Sequence, residues 1–436
     1  MSRLMQAATL DGMREGERAP ARICLCRHCG QAQRVPAMTA PDIAVCVRCG
    51  MAIRRLRRDP FGRALAMSLA AMFCFVLACT MPLMRVSTSG MTLGADLFSG
   101  PERLDHQGIW ELAVVVLFTT VAAPFLKLLG MLYVLIGLYL PRPPRFAGTV
   151  FAWVEHMRPW AMVEVYLIGV FVAYVKLIDL VHIDVGFAVY ALVGLMLATV
   201  AADAALDRQA VWEALERRGA IPHAAEPQPA TAGAPVRLLA CETCEKVSAV
   251  SGAGVHHCRR CGSRLHARKP NGIARCWALV IAAAILYIPA NLYPVLTVVQ
   301  LGAGMPSTIL GGVEELIAAR MYPLAAIVFF ASIMVPMLKL AGMVVLLVMT
   351  QLRRRERLVD RIRLYRIVTV IGRWSMIDIF MESILVALVQ FGAIVTIEPG
   401  AGAIAFAAVV ILTIFAAEMF DPRAMWDAAN ANGTGP

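Results

Sequence analysis

Charge is what this chain is short of. Only 16% of its 436 residues are Asp, Glu, Lys or Arg, against about 25% in an ordinary soluble protein, while 59% are hydrophobic. That deficit excludes a soluble globular protein of this length and points to a polytopic membrane protein. A GxxxxGK[ST] phosphate-binding loop is also missing, so any energy input must come from an ion gradient or a separate ATPase. Residues 1–22 are polar and charged and hold no apolar run. No cleavable signal peptide is therefore expected, and the first membrane helix serves as the insertion signal. The net charge of +11 does not read as nucleic-acid binding. The arginines stand in short loops beside apolar segments, which is what membrane topology produces.

What is present is duplicated. APFLKLLG (123–130) and VPMLKLAG (335–342) each put a proline and a lysine near the middle of a long apolar segment; Pro124 and Lys127 recur 212 positions later as Pro336 and Lys339. Lys127 is the only formal charge between Leu112 and Leu140, and Lys339 the only one between Met321 and Leu352. A lone lysine deep in a span is costly, so its default reading is functional. Three readings stand open: the lysines snorkel to an interface, they pair with Glu164 and Asp378 in the following helices, or they face a polar cavity. In such a cavity they would bind a lipid headgroup or take part in proton coupling. Pro124 and Pro336 each free a carbonyl and kink their helix, which opens room for a polar site. Glu382 lies one turn from Asp378, whereas Ile168 holds its place in the first half, so the halves are unequal.

Cysteine is the second repeated signal. Cys26, Cys29, Cys46 and Cys49 form two CxxC knuckles, and Cys241, Cys244, Cys258 and Cys261 form two more. Paired knuckles present four thiolates to one tetrahedral ion, and a domain of about 30 residues needs such a staple because apolar burial alone does not hold it. Two zinc ions per chain are expected; four thiolates suit iron as well. The competing class for these cysteines is a membrane thiol oxidoreductase, or a zinc- or redox-sensing receptor.

The expected fold class is an all-α polytopic membrane protein. It has two tandem modules of four transmembrane helices, each preceded by a small zinc-ribbon-like cytoplasmic domain. Expected boundaries are a flexible tail (1–22), a first ribbon (23–58), a first module (59–207), a linker (208–237), a second ribbon (238–268), a second module (269–421) and a C-terminal tail (422–436). Spans are expected at 64–84, 112–140, 150–178 and 185–202, then at 276–299, 321–352, 367–397 and 400–417, with 85–109 a loop. Seven arginines between Arg353 and Arg366, with Arg142 and Arg145 in the matching loop, place both termini and both ribbons in the cytoplasm. Trp212 and Trp426 fit interfacial anchors.

Taken in order, the twin CxxC modules, the P-x-x-K-x-x-G segments and the terminal LDRQAVWE (206–213) and FDPRAMWD (420–427) resemble the PqiA family (paraquat-inducible protein A, with its LetA-like members). The resemblance runs from Cys26 to Trp426. It implies a bacterial inner-membrane protein that works beside a periplasmic MCE-domain tunnel protein and handles membrane lipids moving between two membranes. It implies no enzyme activity. The first module departs from the pattern by ending in LDRQAVW rather than an FDPR-like sequence.

Overall fold

A computed structural model describes residues 18–19, 22–88, 91–178, 182–222, 237–250, 256–300, 303–389 and 395–431. The first ribbon is built from β1 (Arg18–Ala19) to β6 (Ala52–Arg55), paired β1 with β4, β2 (Arg22–Leu25) with β3 (Ala32–Val35) and β5 (Ile43–Val45) with β6. The tail expected to end at residue 22 therefore includes β1 and the first residue of β2. In the first module α1 (Pro60–Thr80) leads away from the ribbon into β7 (Met84–Thr88), β8 (Met91–Ala95) and α2 (Ser99–His106). The long α3 (Trp110–Tyr139) returns to the ribbon end. Then α4 (Ala147–Met157) and α5 (Val163–Leu177) cross again, β9 (His182–Val185) pairs with β7, and α6 (Phe187–Ala205) returns to α7 (Arg208–Arg217).

The second half repeats this plan. Its ribbon runs from β10 (Arg237–Ala240) to β13 (Arg264–Leu265). It is followed by α8 (Gly272–Leu292), β14 (Leu296–Gln300), β15 (Ala303–Ser307), α9 (Ile309–Ala318) and α10 (Tyr322–Gln351). The broken pair α11 (Leu358–Trp374) and α12 (Ile377–Leu388) comes next, then β16 (Val395–Pro399), α13 (Ala401–Met419) and α14 (Arg423–Ala431). Residues 85–109 and their counterparts are thus not plain loops. Each forms a hairpin that the strand before the last span completes as a three-stranded sheet, in the orders β8-β7-β9 and β15-β14-β16.

Among the described residues six helices are long and apolar enough to cross a membrane: α1, α3, α6, α8, α10 and α13. The expected third span of each module is instead a broken pair. Its polar first half explains why: Glu155, His156, Arg158 and Pro159 stand at the break in the first module, and α11 carries Arg361, Arg363, Arg366 and Arg373 in the second. The pair still carries the chain from the ribbon end to the sheet end, so each module begins and ends on one side.

The two modules meet along α5 and α12. Gly169 allows this: a Cβ there would stand 2.9 Å from Phe380 Cβ and 3.3 Å from the Met381 nitrogen. Tyr166 packs edge-on against Phe380 at 5.5 Å. In lipid, apolar surface alone does not drive helices together, so close contact through small residues carries the association.

The ribbons cross over. The first ribbon's four knuckle cysteines pack with Cys276, Met343, Phe420 and Trp426 of the second module, whereas Cys241, Cys244 and Cys258 pack with Phe61, Leu135, Phe151 and Trp212 of the first. The two tryptophans are therefore not interfacial anchors. Trp212 is 1% exposed and stacks edge-on against Phe151 at 5.1 Å, and Trp426 lies beneath the Arg48 guanidinium at 4.2 Å. Residues 208–217 and 423–431, assigned from the sequence to linker and tail, are the helices that hold them.

Candidate functional site

Each long helix carries a π turn just before its proline, at Phe118–Ala122 before Pro124 and at Phe330–Met334 before Pro336. The cause is local. A proline ring clashes with the carbonyl four residues back and offers it no N–H, so one wider turn relieves both problems. Those carbonyls belong to Thr120 and Ser332. Thr120 turns its hydroxyl back to the Val116 carbonyl at 2.7 Å, whereas the buried Ser332 lines a cavity together with Asp378 of α12.

The cavity has a volume of about 570 Å³ and lies near the sheet end of the second module. Its walls are mostly apolar, with Val298, Leu316, Leu385 and Phe406 among them. Four charged groups enter it: Lys176 from α5 of the first module, Glu315 from α9, and Asp378 and Glu382 from α12. Lys176 faces all three carboxylates. Asp378 Oδ2 and Glu382 Oε1 are buried with no hydrogen-bond partner. Buried polar atoms are rarely left so, and each marks a place where water, a proton or a ligand completes the site.

Pro124 and Pro336 sit beside the π turns, and Asp378 and Glu382 come together in the cavity. Glu164, Lys127 and Lys339 lie elsewhere. Lys127 donates to Asp203 Oδ2 at 3.0 Å, near the ribbon-side end of α6, and Arg158 reaches the same oxygen at 3.4 Å. The Lys127–Glu164 pairing is thus not formed; Glu164 stands 3.9 Å from Arg373. Lys339 does not pair with Asp378 either. It is 2% exposed and donates to the Gly372 carbonyl at 3.2 Å. The difference between the two lysines follows from the repeat, because Gly372 and Ala417 hold the places of Arg158 and Asp203. Lys176, Glu315, Ser332 and Asp203 escaped the sequence reading. Ser332 was findable as the residue four before Pro336, and Lys176 as the charge closing the apolar run of α5.

Both cysteine sets converge. Cys26 and Cys49 Sγ lie 3.6 Å apart and Cys29 and Cys46 3.5 Å; in the second ribbon Cys241 and Cys261 are at 3.4 Å and Cys244 and Cys258 at 3.5 Å. All four ligand atoms of each set lie within 4.8 Å of one another. Thiolates at about 2.3 Å from a tetrahedral ion stand about 3.8 Å apart, so each set fits one ion. Four protein ligands leave no open position, and an ion held there would supply folding energy rather than Lewis-acid chemistry. At the end of three knuckles a glycine (Gly30, Gly50, Gly262) takes the left-handed backbone; at the fourth Glu245 does so, at φ 58°. Glu245 ties the second ribbon to Arg27 of the first and to Gln209 of α7.

Compared with known proteins, the chain matches the family described as paraquat-inducible protein A twice, over residues 61–216 and 273–430. The chain belongs to the PqiA family. Each PqiA match starts at the first helix of a module and reaches the short helix after its last span, so α7 and α14 are parts of the repeat rather than linker and tail. Among curated proteins it is similar to intermembrane transport protein PqiA of Escherichia coli strain K12, 32% identical over 409 residues that cover 93% of this chain and 96% of that one. It is also similar to lipophilic envelope-spanning tunnel protein A of the same strain, 30% identical over 92% of this chain and 91% of the relative. A probable intermembrane transport protein of Haemophilus influenzae is 24% identical over 93% and 96%. No solved structure matches the chain.

Proposed function

We propose that this PqiA-family chain is the inner-membrane component of a lipid transport system and passes lipid between that membrane and a periplasmic MCE-type tunnel protein. The observation that carries the reading is the cavity at the α5–α12 junction. It has room for acyl chain against apolar walls and a lysine facing carboxylates where a headgroup would sit. The relatives named for intermembrane transport support it. In this reading the ribbons and termini are cytoplasmic, in keeping with the arginines at that end, and the sheet end faces the periplasm. Lys176 meets the headgroup, and a proton taken up by Asp378 or Glu382 changes what Lys176 pairs with. The thiolate sets hold structural zinc, and the protein is not an enzyme. Lys127 and Lys339 lie outside this cavity and anchor α3 and α10.

A photoreactive side chain in place of Leu316, in the full chain in native membranes, tests this. A phospholipid adduct is expected there, and Lys176→Ala should lower it several-fold. Adducts at Leu197, on the outer face of α6, should not change. Absence of adduct at 316, or indifference to Lys176→Ala, would overturn the assignment.

A further inference from the structure

At the opposite end, between the first ribbon and the first module, lies a second cavity of about 680 Å³ with the reverse chemistry. Six arginines line it: Arg54, Arg55, Arg57, Arg158, Arg208 and Arg366. Each of the three carboxylates that reach it already holds at least one partner. Asp203 holds Lys127 and Arg158, Asp207 caps α7 by accepting from the Gln209 and Ala210 nitrogens, and Glu245 meets Arg27 and Gln209. Arg208 is matched by Glu155 at 2.9 Å. Among the described residues Arg55 and Arg57 have no ion pair, and Arg366 reaches only Met51 Sδ at 3.5 Å.

The telling group is Arg54. It is 4% exposed and gives one N–H to Glu213 at 2.9 Å, while Nε and Nη1 are buried without a partner. A guanidinium offers a rigid fork of donors suited to carboxylate and phosphate oxygens, and an idle buried donor carries its full desolvation penalty. One acceptor in the cavity is idle too, Asp207 Oδ2, which would take a hydroxyl of the same molecule. The cavity sits where the spans end: Arg57 precedes α1, and Asp203 lies in the last turn of α6. That is headgroup level.

We infer that this arginine cavity binds a phosphate ester. Its source is either an anionic lipid headgroup entering from the membrane or a soluble phosphate entering from the ribbon side. The site stands apart from the transport cavity, and its failure would leave that reading intact.

The test uses the purified full chain in neutral detergent, with thermal unfolding followed by intrinsic fluorescence. The probes are phosphatidylglycerol in mixed micelles and inorganic phosphate, each titrated. The variant Arg55→Gln/Arg57→Gln/Arg366→Gln removes three cavity cations that hold no ion pair. The control Arg142→Gln/Arg145→Gln/Arg363→Gln removes the same charge from the same end. The unfolding midpoint should rise with one probe, at concentrations on the order of a hundredfold higher in the cavity variant and unchanged in the control. Arg54→Lys, which keeps the charge but not the fork, should weaken the response about tenfold. A rise with phosphatidylglycerol alone assigns a lipid headgroup; an equal rise with millimolar inorganic phosphate assigns a soluble ester. No rise with either probe, an unaltered response in the cavity variant, or an equal loss in the control would overturn the site.

Discussion

Gly100 and Gly312 occupy equivalent places in the two modules and should respond in opposite directions to the same substitution. A Cβ at Gly100 would stand 2.3 Å from Ser383 Oγ and 3.2 Å from the Ser383 carbonyl oxygen, so α2 and α12 must part. The Ser383 hydroxyl can rotate away, but the carbonyl belongs to the buried α12 and moves only with the helix. Overpacking of this kind costs about 1–3 kcal/mol. At Gly312 a Cβ meets only Ser307 Oγ at 3.6 Å, on the cavity wall. There the only change is in helix propensity, worth about 0.5–1 kcal/mol in favour of alanine. Gly100→Ala should therefore lower the unfolding midpoint by on the order of 5 °C, and Gly312→Ala should leave it unchanged or raise it slightly. Thermal unfolding in detergent at one fixed scan rate, with equal chain concentrations, measures both. Equal losses in the two variants, or none at Gly100, would refute the claim that α2 is pressed on α12 while α9 stands clear of α5.

Elemental analysis of the purified chain should find about two tetrahedrally bound metal ions, falling to about one with Cys46→Ser; freely titrating thiols and no metal would revive the thiol oxidoreductase reading. Arg260 and Glu216 form an ion pair with side chains 4% and 5% exposed, joining the second ribbon to α7. Arg260→Met should lower the unfolding midpoint because it takes both guanidinium hydrogen bonds from the buried Glu216 carboxylate and unties the second ribbon from α7; limited proteolysis and unfolding midpoints decide it. Burial pushes the Asp421 carboxyl up, but the Arg423 side chain and the backbone nitrogens of Arg423 and Lys269 outweigh that and hold it below the usual carboxylate range. A depressed folded value stabilises fully above the unfolded value and is lost as pH falls through the folded one. Asp421→Asn should thus flatten the acid limb of the stability profile, and superposable profiles would count against the pairing.

The features legible in the sequence are those written in local pattern. Apolar runs without charge gave the six long helices, CxxC spacing gave the thiolate sets, and PFLKLLG against PMLKLAG gave the duplication. What stayed hidden depends on distance. Positions on the next helix point to Glu164 and Asp378 as the lysines' partners, yet Lys127 meets Asp203, 76 residues on. The third spans read as continuous because length and hydropathy average over a break, while Pro159 and the arginines of α11 act at single positions. Crossing of the ribbons onto opposite modules leaves no trace in a linear pattern, since the cysteine knuckles look alike.

The cavity itself is best understood as a failure of the repeat. Two copies of one module meeting about α5 and α12 would make two equivalent junctions, α12 on α2 and α5 on α9. The first is closed, with Ser383 against Gly100. At the second, α9 does not press on α5, and the space is lined by residues the other copy lacks. Glu382 stands where the first module has Ile168. Ser332 stands where it has Thr120, whose hydroxyl is spent on its own helix. An apolar pair would have closed both junctions at no cost, whereas a carboxylate with an idle oxygen in a membrane core is expensive to keep. The second junction therefore stays open and polar against the grain of stability, as the proposed transport role requires of the site that takes the lipid.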